Sequence, residues 1–324
     1  MRGELTNDST GTGATIERST ASKGGAGRVL VSGASGLVGQ ALLKRLANGG
    51  RPGTKLVRSS ASEGEVLWDP ASGYIDQASI AADAVVHLAG ENIADGRWSQ
   101  SKMKAIRDSR IRGTRLLAES LARLEKPPEV LISASAIGFY GDRGDEVLTE
   151  RSPAGSGFLA EVCQEWEAST RAAQDAGIRV VHLRIGVVLA RQGGALGKML
   201  LPFKLGLGGR IGNGKQFMSW IALDDLVSAI CHAVDDKRLS GPVNASAPFP
   251  VTNGDFTRTL GGVLRRPTFA AMPEFAARAL IGRMADDLLL ASIRVYPQIL
   301  LYSEFVFGEP RLEGALRATL EKSS

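Results

Sequence analysis

The sequence predicts an α/β fold built on a doubly wound parallel sheet, and three observations carry that expectation. From Arg28 onward short β-rich runs alternate with helical patterns, which is how a parallel sheet covered on both faces reads. The first run breaks into a glycine turn that opens a helix. The chain has 324 residues, 44% of them hydrophobic, enough for one large core or a core with a smaller lobe.

Residues 1–27 are rich in Ser, Thr, Gly and Ala and nearly lack large apolar side chains, so they cannot repay their ordering entropy and read as a flexible tail. Glu4, Asp8 and Glu17 argue against an organelle transit peptide, and the missing apolar stretch argues against a secretory signal. Arg28 to Ser32 reads as a buried strand. The stretch Val29 to Gly39 is Val-Leu-Val-Ser-Gly-Ala-Ser-Gly-Leu-Val-Gly. Gly33 turns the chain, Gly36 lets the backbone approach a pyrophosphate, and Gly39 permits close helix-to-strand packing. The amides opening a helix over Leu37 to Leu46 present partial positive charge to phosphates. Gly33, Ser35, Gly36, Leu37 and Gly39 are therefore expected to bind a cofactor. The glycine spacing alone also fits a tight loop in an unrelated α/β protein; the flanking strand and helix favour the cofactor.

Lys55 to Arg58 reads as the second strand, whose end decides between two cofactors. An acid there bonds the ribose hydroxyls of NAD, whereas an arginine pairs with the extra phosphate of NADP. This chain offers Arg58, then Ser59, Ser60 and Ser62, with no acid before Glu63, so NADP (NADPH) is expected. A charge-assisted bond of about 1.5–3 kcal/mol gives roughly tenfold to hundredfold discrimination. The structural alternative is a solvated arginine at a strand end.

Val66 to Trp68 reads as a third strand, Ala84 to Ala89 as a fourth, Glu129 to Ala134 as a fifth and Ile178 to Arg184 as a sixth. Helices are expected over Lys102 to Leu124 and Phe158 to Ala176. From Arg191 to Lys215 glycines stand at 193, 194, 197, 206, 208, 209, 212 and 214, too many for continuous regular structure. Lys198, Lys204, Arg210 and Lys215 make that stretch basic without neighbouring acids, which fits either an anionic substrate or a mobile lid with solvated charges.

Net charge is +5, from 39 basic and 34 acidic residues spread along the chain, and no basic cluster marks a nucleic-acid footprint. Cys163 and Cys231 lie far apart with no neighbouring histidines, which speaks against a zinc site or a disulfide framework and for a reducing cytoplasm. No apolar run approaches the roughly 20 residues of a membrane helix. No metal, membrane or nucleic-acid partner is expected.

His87-Leu88-Ala89-Gly90, Ser133-Ala134-Ser135, Tyr140-Gly141 and Asp224-Asp225 resemble the extended short-chain dehydrogenase/reductases, the group of sugar-nucleotide epimerases and dehydratases. Gly90-Glu91-Asn92, Arg97-Trp98, Ser109-Arg110, Ser135 to Gly141, Trp166-Glu167, Gly193 to Leu196, Gln216 to Ile221 and Asn244 to Pro248 are similar to an atypical branch, the "epimerase family proteins". That branch carries a C-terminal domain of unknown function, matched here at about Arg266 to Leu312. The resemblance implies a Rossmann-like NADP-binding domain over 28–190 and about 216–248. It implies a smaller C-terminal substrate lobe from about 191–215 and 249–320. It places Leu88, Ala89, Gly90 and Arg184 at the cofactor and Glu91, Asn92, Trp98 and Trp220 near a small-molecule substrate. It also implies a homodimer through the long helices flanking the fifth strand.

In ordinary members of that group a serine, a tyrosine and a lysine four residues after the tyrosine cooperate in proton and hydride exchange. Ser135 stands at the serine position. The Tyr-x-x-x-Lys pair is expected around Phe158 to Cys163, where the chain reads Phe-Leu-Ala-Glu-Val-Cys and lacks both. Three readings follow: an oxidoreductase or epimerase whose proton carrier has moved, a silent NADP-sensing or partner-binding module, or a structural role. Tyr140 is the first candidate carrier, with Glu161 or Glu165 behind it; without a lysine its pKa is expected to drop only modestly from about 10. The alternative for Tyr140 is packing over the nicotinamide. His87 and His182 read as satisfied buried histidines, and Lys102 and Lys104 as solvated helix charges.

Overall fold

The computed structural model describes residues 27–321 apart from Pro52 and Ser60. The expected tail falls almost entirely outside the described residues. The amino-terminal half begins with β1 (Val29–Ser32), α1 (Leu37–Asn48), β2 (Gly53–Val57), β3 (Glu65–Asp69), β4 (Tyr74–Ile75) and β5 (Ala84–His87). Next come α2 (Gln100–Ala122), β6 (Val130–Ala136), β7 (Val147–Leu148), α3 (Phe158–Ala168), α4 (Arg171–Asp175), β8 (Arg179–Ile185) and β9 (Val187–Leu189). Then follow α5 (Gly194–Lys204), β10 (Phe217–Met218), β11 (Trp220–Ala222), α6 (Leu223–Asp235) and β12 (Gly241–Ala245). The chain closes with β13 (Val251–Thr252), α7 (Asn253–Leu264), α8 (Glu274–Ile281), β14 (Arg294–Val295), α9 (Gln298–Tyr302) and α10 (Leu312–Glu321).

Eight strands form one sheet in the order β12-β8-β6-β5-β1-β2-β3-β4, parallel throughout except where β4 pairs against β3. Alternate residues of a strand face opposite sides, and both sides are covered. On one, Val29, Val31, Val86, Ile132 and Val181 pack on Leu42 and Leu46 of α1 and Leu226 and Ile230 of α6. On the other, Leu30, Leu56, Val85, Leu131 and Val180 pack on Leu117, Ala118 and Leu121 of α2. A third apolar cluster joins Leu196, Leu200 and Phe203 to Trp220, Phe256, Leu260, Leu312 and Leu316. The chain runs outward from β1 through β2 and β3, then returns to β5 on β1's other side. This reversal leaves a crevice outside the carboxyl ends of β1 and β5, the place where such sheets bind nucleotides.

The structure corrects several sequence expectations. The helix expected over Phe158 to Ala176 is two, because Ser169 Oγ donates to Glu165 O at 2.7 Å and Thr170 Oγ1 to Glu167 O at 2.8 Å, claiming carbonyls of the last turn. The stretch 191–215, expected to be irregular, contains the eleven-residue α5. Leu196, Leu200 and Phe203 recur at helical spacing and bury one stripe in the third cluster. β4 and β12 were not expected. Among the described residues no helix is long and apolar enough to cross a membrane, and no group of three or more His, Cys, Asp or Glu could hold a metal ion.

Candidate active site

The glycine turn is built for close approach. Gly33 has φ +66°, and a Cβ there would stand 2.7 Å from the Leu88 carbonyl carbon, so β1's turn and the chain leaving β5 touch backbone to backbone. A Cβ on Gly39 would lie 2.2 Å from Gly33 O, which fixes how tightly α1 seats on the turn. Gly36 caps α1 with extended backbone, no side-chain cap and no acid in the first turn. The opening amides of α1 are thus unclaimed by any side chain, the arrangement that suits an anion. Ser35 and Gly36 are exposed at its rim, with Leu37 partly so. β2 ends at Val57, and the exposed Arg58 follows immediately.

Ser32 Oγ braces the crevice floor by accepting from Leu88 N at 3.1 Å and Ala89 N at 3.3 Å. With both lone pairs used, its hydrogen goes to His87 Nδ1 at 2.6 Å. His87 Nε2 then donates to Thr114 Oγ1 at 3.0 Å, which also accepts from Trp166 Nε1 at 2.9 Å. Burial pushes the His87 imidazole down to about 4, so it is neutral and structural. His182 bonds Thr170 Oγ1 at 2.8 Å and burial lowers its pKa as well.

The loop after β5 uses its polar groups internally. Glu91 takes the Lys102 ammonium at 2.6 Å, so Lys102 is a paired group and not a solvated charge. Asn92 Nδ2 donates to Asp95 Oδ2 at 2.8 Å, and Asn92 Oδ1 accepts from Ala94 N at 3.0 Å. Trp98 Nε1 donates to Ile93 O at 2.8 Å while its ring meets Phe158 edge-on at 5.3 Å. Gly90 is exposed where this loop leaves β5, beside Arg110.

A family model described as "NAD dependent epimerase/dehydratase family" matches residues 29–245, and one for a domain of unknown function, DUF1731, matches residues 272–319. An epimerase family protein of Mycobacterium leprae is 43% identical over 290 residues, covering 89% of this chain and 94% of its own. The chain belongs to the NAD-dependent epimerase/dehydratase family. A crystal structure of human epimerase family protein SDR39U1 with NADPH superposes with a TM-score of 0.85 at 36% identity, covering 91% of this chain and 100% of that one. That of a nucleoside-diphosphate sugar epimerase from Corynebacterium glutamicum gives 0.77 at 38% identity, covering 91% and 58%.

In this epimerase-family fold the residues expected at the reacting end assemble differently from expectation. Ser135 Oγ donates to Glu167 Oε1 at 2.7 Å. Glu167 is held by Arg184 through two bonds of 2.9 Å. Arg184 stacks over Phe139, 3.4 Å from the ring centre, and donates to Tyr140 Oη at 3.0 Å. Tyr140 Oη in turn donates to Asn244 Oδ1 at 2.7 Å. The Arg184 side chain, expected at the cofactor, is only 4% exposed and committed to this ion pair. Tyr140 is wholly buried, and burial raises its phenol above the usual value, where a modest lowering was expected. A phenol already donating to Asn244, with an elevated pKa, is poorly placed to carry protons. Trp220, expected near substrate, is wholly buried in the third cluster.

Phe158 and Val162, at the positions where the resemblance expects Tyr and Lys, are buried with Ile106 in an apolar cluster that Trp98 also joins. Of the next candidate carriers, Glu165 pairs with Arg107 and Glu161 is exposed. Glu167 and Asn244 carry the network although sequence reasoning gave them no role. The one signal that could have found them was their place in the Trp166-Glu167 and Asn244 to Pro248 motifs. Cys163 lies on the same helix, and burial pushes its thiol up to about 11, which keeps it protonated.

Proposed function

We propose that the chain binds NADP(H) and acts as an oxidoreductase or epimerase on a small anionic molecule. The observation that carries this reading is the uncapped amino end of α1 after β1, together with an exposed Arg58 at the end of β2, the strand paired with β1. The free amides of Leu37 and Val38 would hold the pyrophosphate, the Gly36 amide being donated to Gly33 O at 2.9 Å, and the Arg58 guanidinium would pair with the 2′-phosphate. The nicotinamide, when bound, supplies or accepts a hydride. Ser135 donates its hydrogen to Glu167, so it can take a proton from a substrate hydroxyl only as it passes its own to the Glu167 carboxylate, which ends the step protonated. Arg184 and Tyr140 position Glu167 for that step. Exposed Lys204, Arg210 and Lys215, in the proposed substrate lobe of 191–215 and 249–320, support an anionic substrate. A homodimer would use the outer faces of α2 and α3.

A second reading, a silent NADP-binding module, draws support from the apolar filling at Phe158 and Val162. Titration with NADPH and NADH tests the cofactor: Arg58→Ala lowers the preference for NADPH about tenfold to hundredfold, and an unchanged ratio of dissociation constants refutes the assignment. Steady NADPH oxidation over a panel of anionic carbonyl compounds separates the enzyme from the silent module.

A further inference from the structure

The loop from Glu91 to Trp98 reaches two elements far from it in sequence. Its root is fixed, since Leu88 and Ala89 hang from Ser32 at the carboxyl end of β1. Its shape is fixed by the Asn92 and Trp98 bonds. Outward, Lys198 Nζ of α5 donates to Ala94 O and to Asp95 Oδ1, the latter at 3.2 Å. Arg97 donates to Leu280 O at 3.1 Å and to Ala279 O, carbonyls in the last turn of α8, where the helix dipole draws a cation. The first residue of α5 lies beside the first residue of α1, because a Cβ on Gly194 would stand 3.7 Å from Leu37 Cδ2. One path of contacts therefore runs from the first residue of α1, along α5, through Lys198 to the chain beyond β5. It joins the chain leaving β1 to the chain leaving β5, the two strands at the sheet reversal.

We propose that the Glu91 to Trp98 loop is a strap drawn across the cofactor crevice, tied by Lys198 to α5 and by Arg97 to α8, and that its opening sets the rate at which NADPH enters and leaves. The inference rests on the cofactor reading above. It also makes the C-terminal DUF1731 segment, to which α8 belongs, the anchor for one end of the strap. The ties suit a closure that must reopen. Lys198 and Asp95 are 55% and 61% exposed in their side chains, and pairs so wetted hold weakly. The strap itself, by contrast, is stiff, and moves as a unit.

Stopped-flow NADPH fluorescence tests it, with association read on mixing and dissociation read by displacement with excess NADP. Lys198→Ala and Arg97→Ala each raise both rates about threefold to tenfold, so the dissociation constant moves less than either rate. Two results overturn the strap while leaving the cofactor reading intact. One is unchanged rates in both alanine variants. The other is a faster dissociation matched by an equal loss of affinity, which marks direct contact with the cofactor. Wild-type protein that takes up no NADPH refutes the cofactor reading, and the strap falls with it.

Discussion

Tyr140 shows what a single residue gains and loses by its surroundings. Its ring is wholly buried, and its hydroxyl both accepts from Arg184 and donates to Asn244. Tyr140→Phe strands two buried polar groups and costs about 1–3 kcal/mol, read as a lower urea midpoint; a variant as stable as wild type would show that the hydroxyl is not part of the network. The motif around Tyr140 was visible in sequence, but its partners were not. Asn244 lies 104 residues away and Glu167 lies 32 residues beyond Ser135. Periodicity reports which face of an element is apolar and says nothing about which distant side chain will meet it. His87 was legible for the opposite reason, since a histidine inside an apolar strand has few fates besides burial.

At the scale of elements, the glycine turn separates packing from binding. A Cβ on Gly39 would collide with Gly33 O and Ala34 Cα at 2.2 and 2.8 Å, whereas one on Gly36 would meet only Gly33 O at 3.2 Å. Gly39→Ala is therefore expected to lower thermal stability by about 1–3 kcal/mol. Gly36→Val is expected to melt near wild type and to lose NADPH binding. Equal loss of stability in both would mean that Gly36 also serves packing. The strands β1, β5, β6 and β8 were legible because each carries a short apolar run rich in branched residues, Val29 to Val31, Ala84 to Val86, Val130 to Ile132 and Val180-Val181. β12 was not, because Pro242 and Asn244 interrupt its apolar pattern, and it forms because β8 offers it an unpaired edge. α5 was hidden by its glycines and is held together by the third cluster, a tertiary cause that overrides local propensity.

For the whole molecule, buried histidines set the response to acid. The unfolded chain protonates His87 near 6.5, but the folded chain resists until about 4. Stability therefore falls as pH drops through that window, by about 3 kcal/mol for this group, and His182 adds the same sign. Glu150 and Asp287, raised by burial, oppose it. Urea midpoints between pH 7 and 5 should decline, and His87→Gln should flatten the decline; an equally steep variant would assign the effect elsewhere. The sheet and its reversal were readable from the order of strands, whereas the way the C-terminal segment closes on the sheet was not. Part of that closure hangs on one buried carboxylate: Glu150 Oε1 accepts both from Asn244 N of β12 and from Ile299 N at the start of α9. These partners follow it by 94 and 149 residues. At about 5–20 residues per second on the ribosome, the second partner is made roughly 7–30 s after Glu150 itself. Until then Glu150 has only the Asn244 amide of this pair to meet, so the join between β12 and α9 cannot close before Ile299 is made.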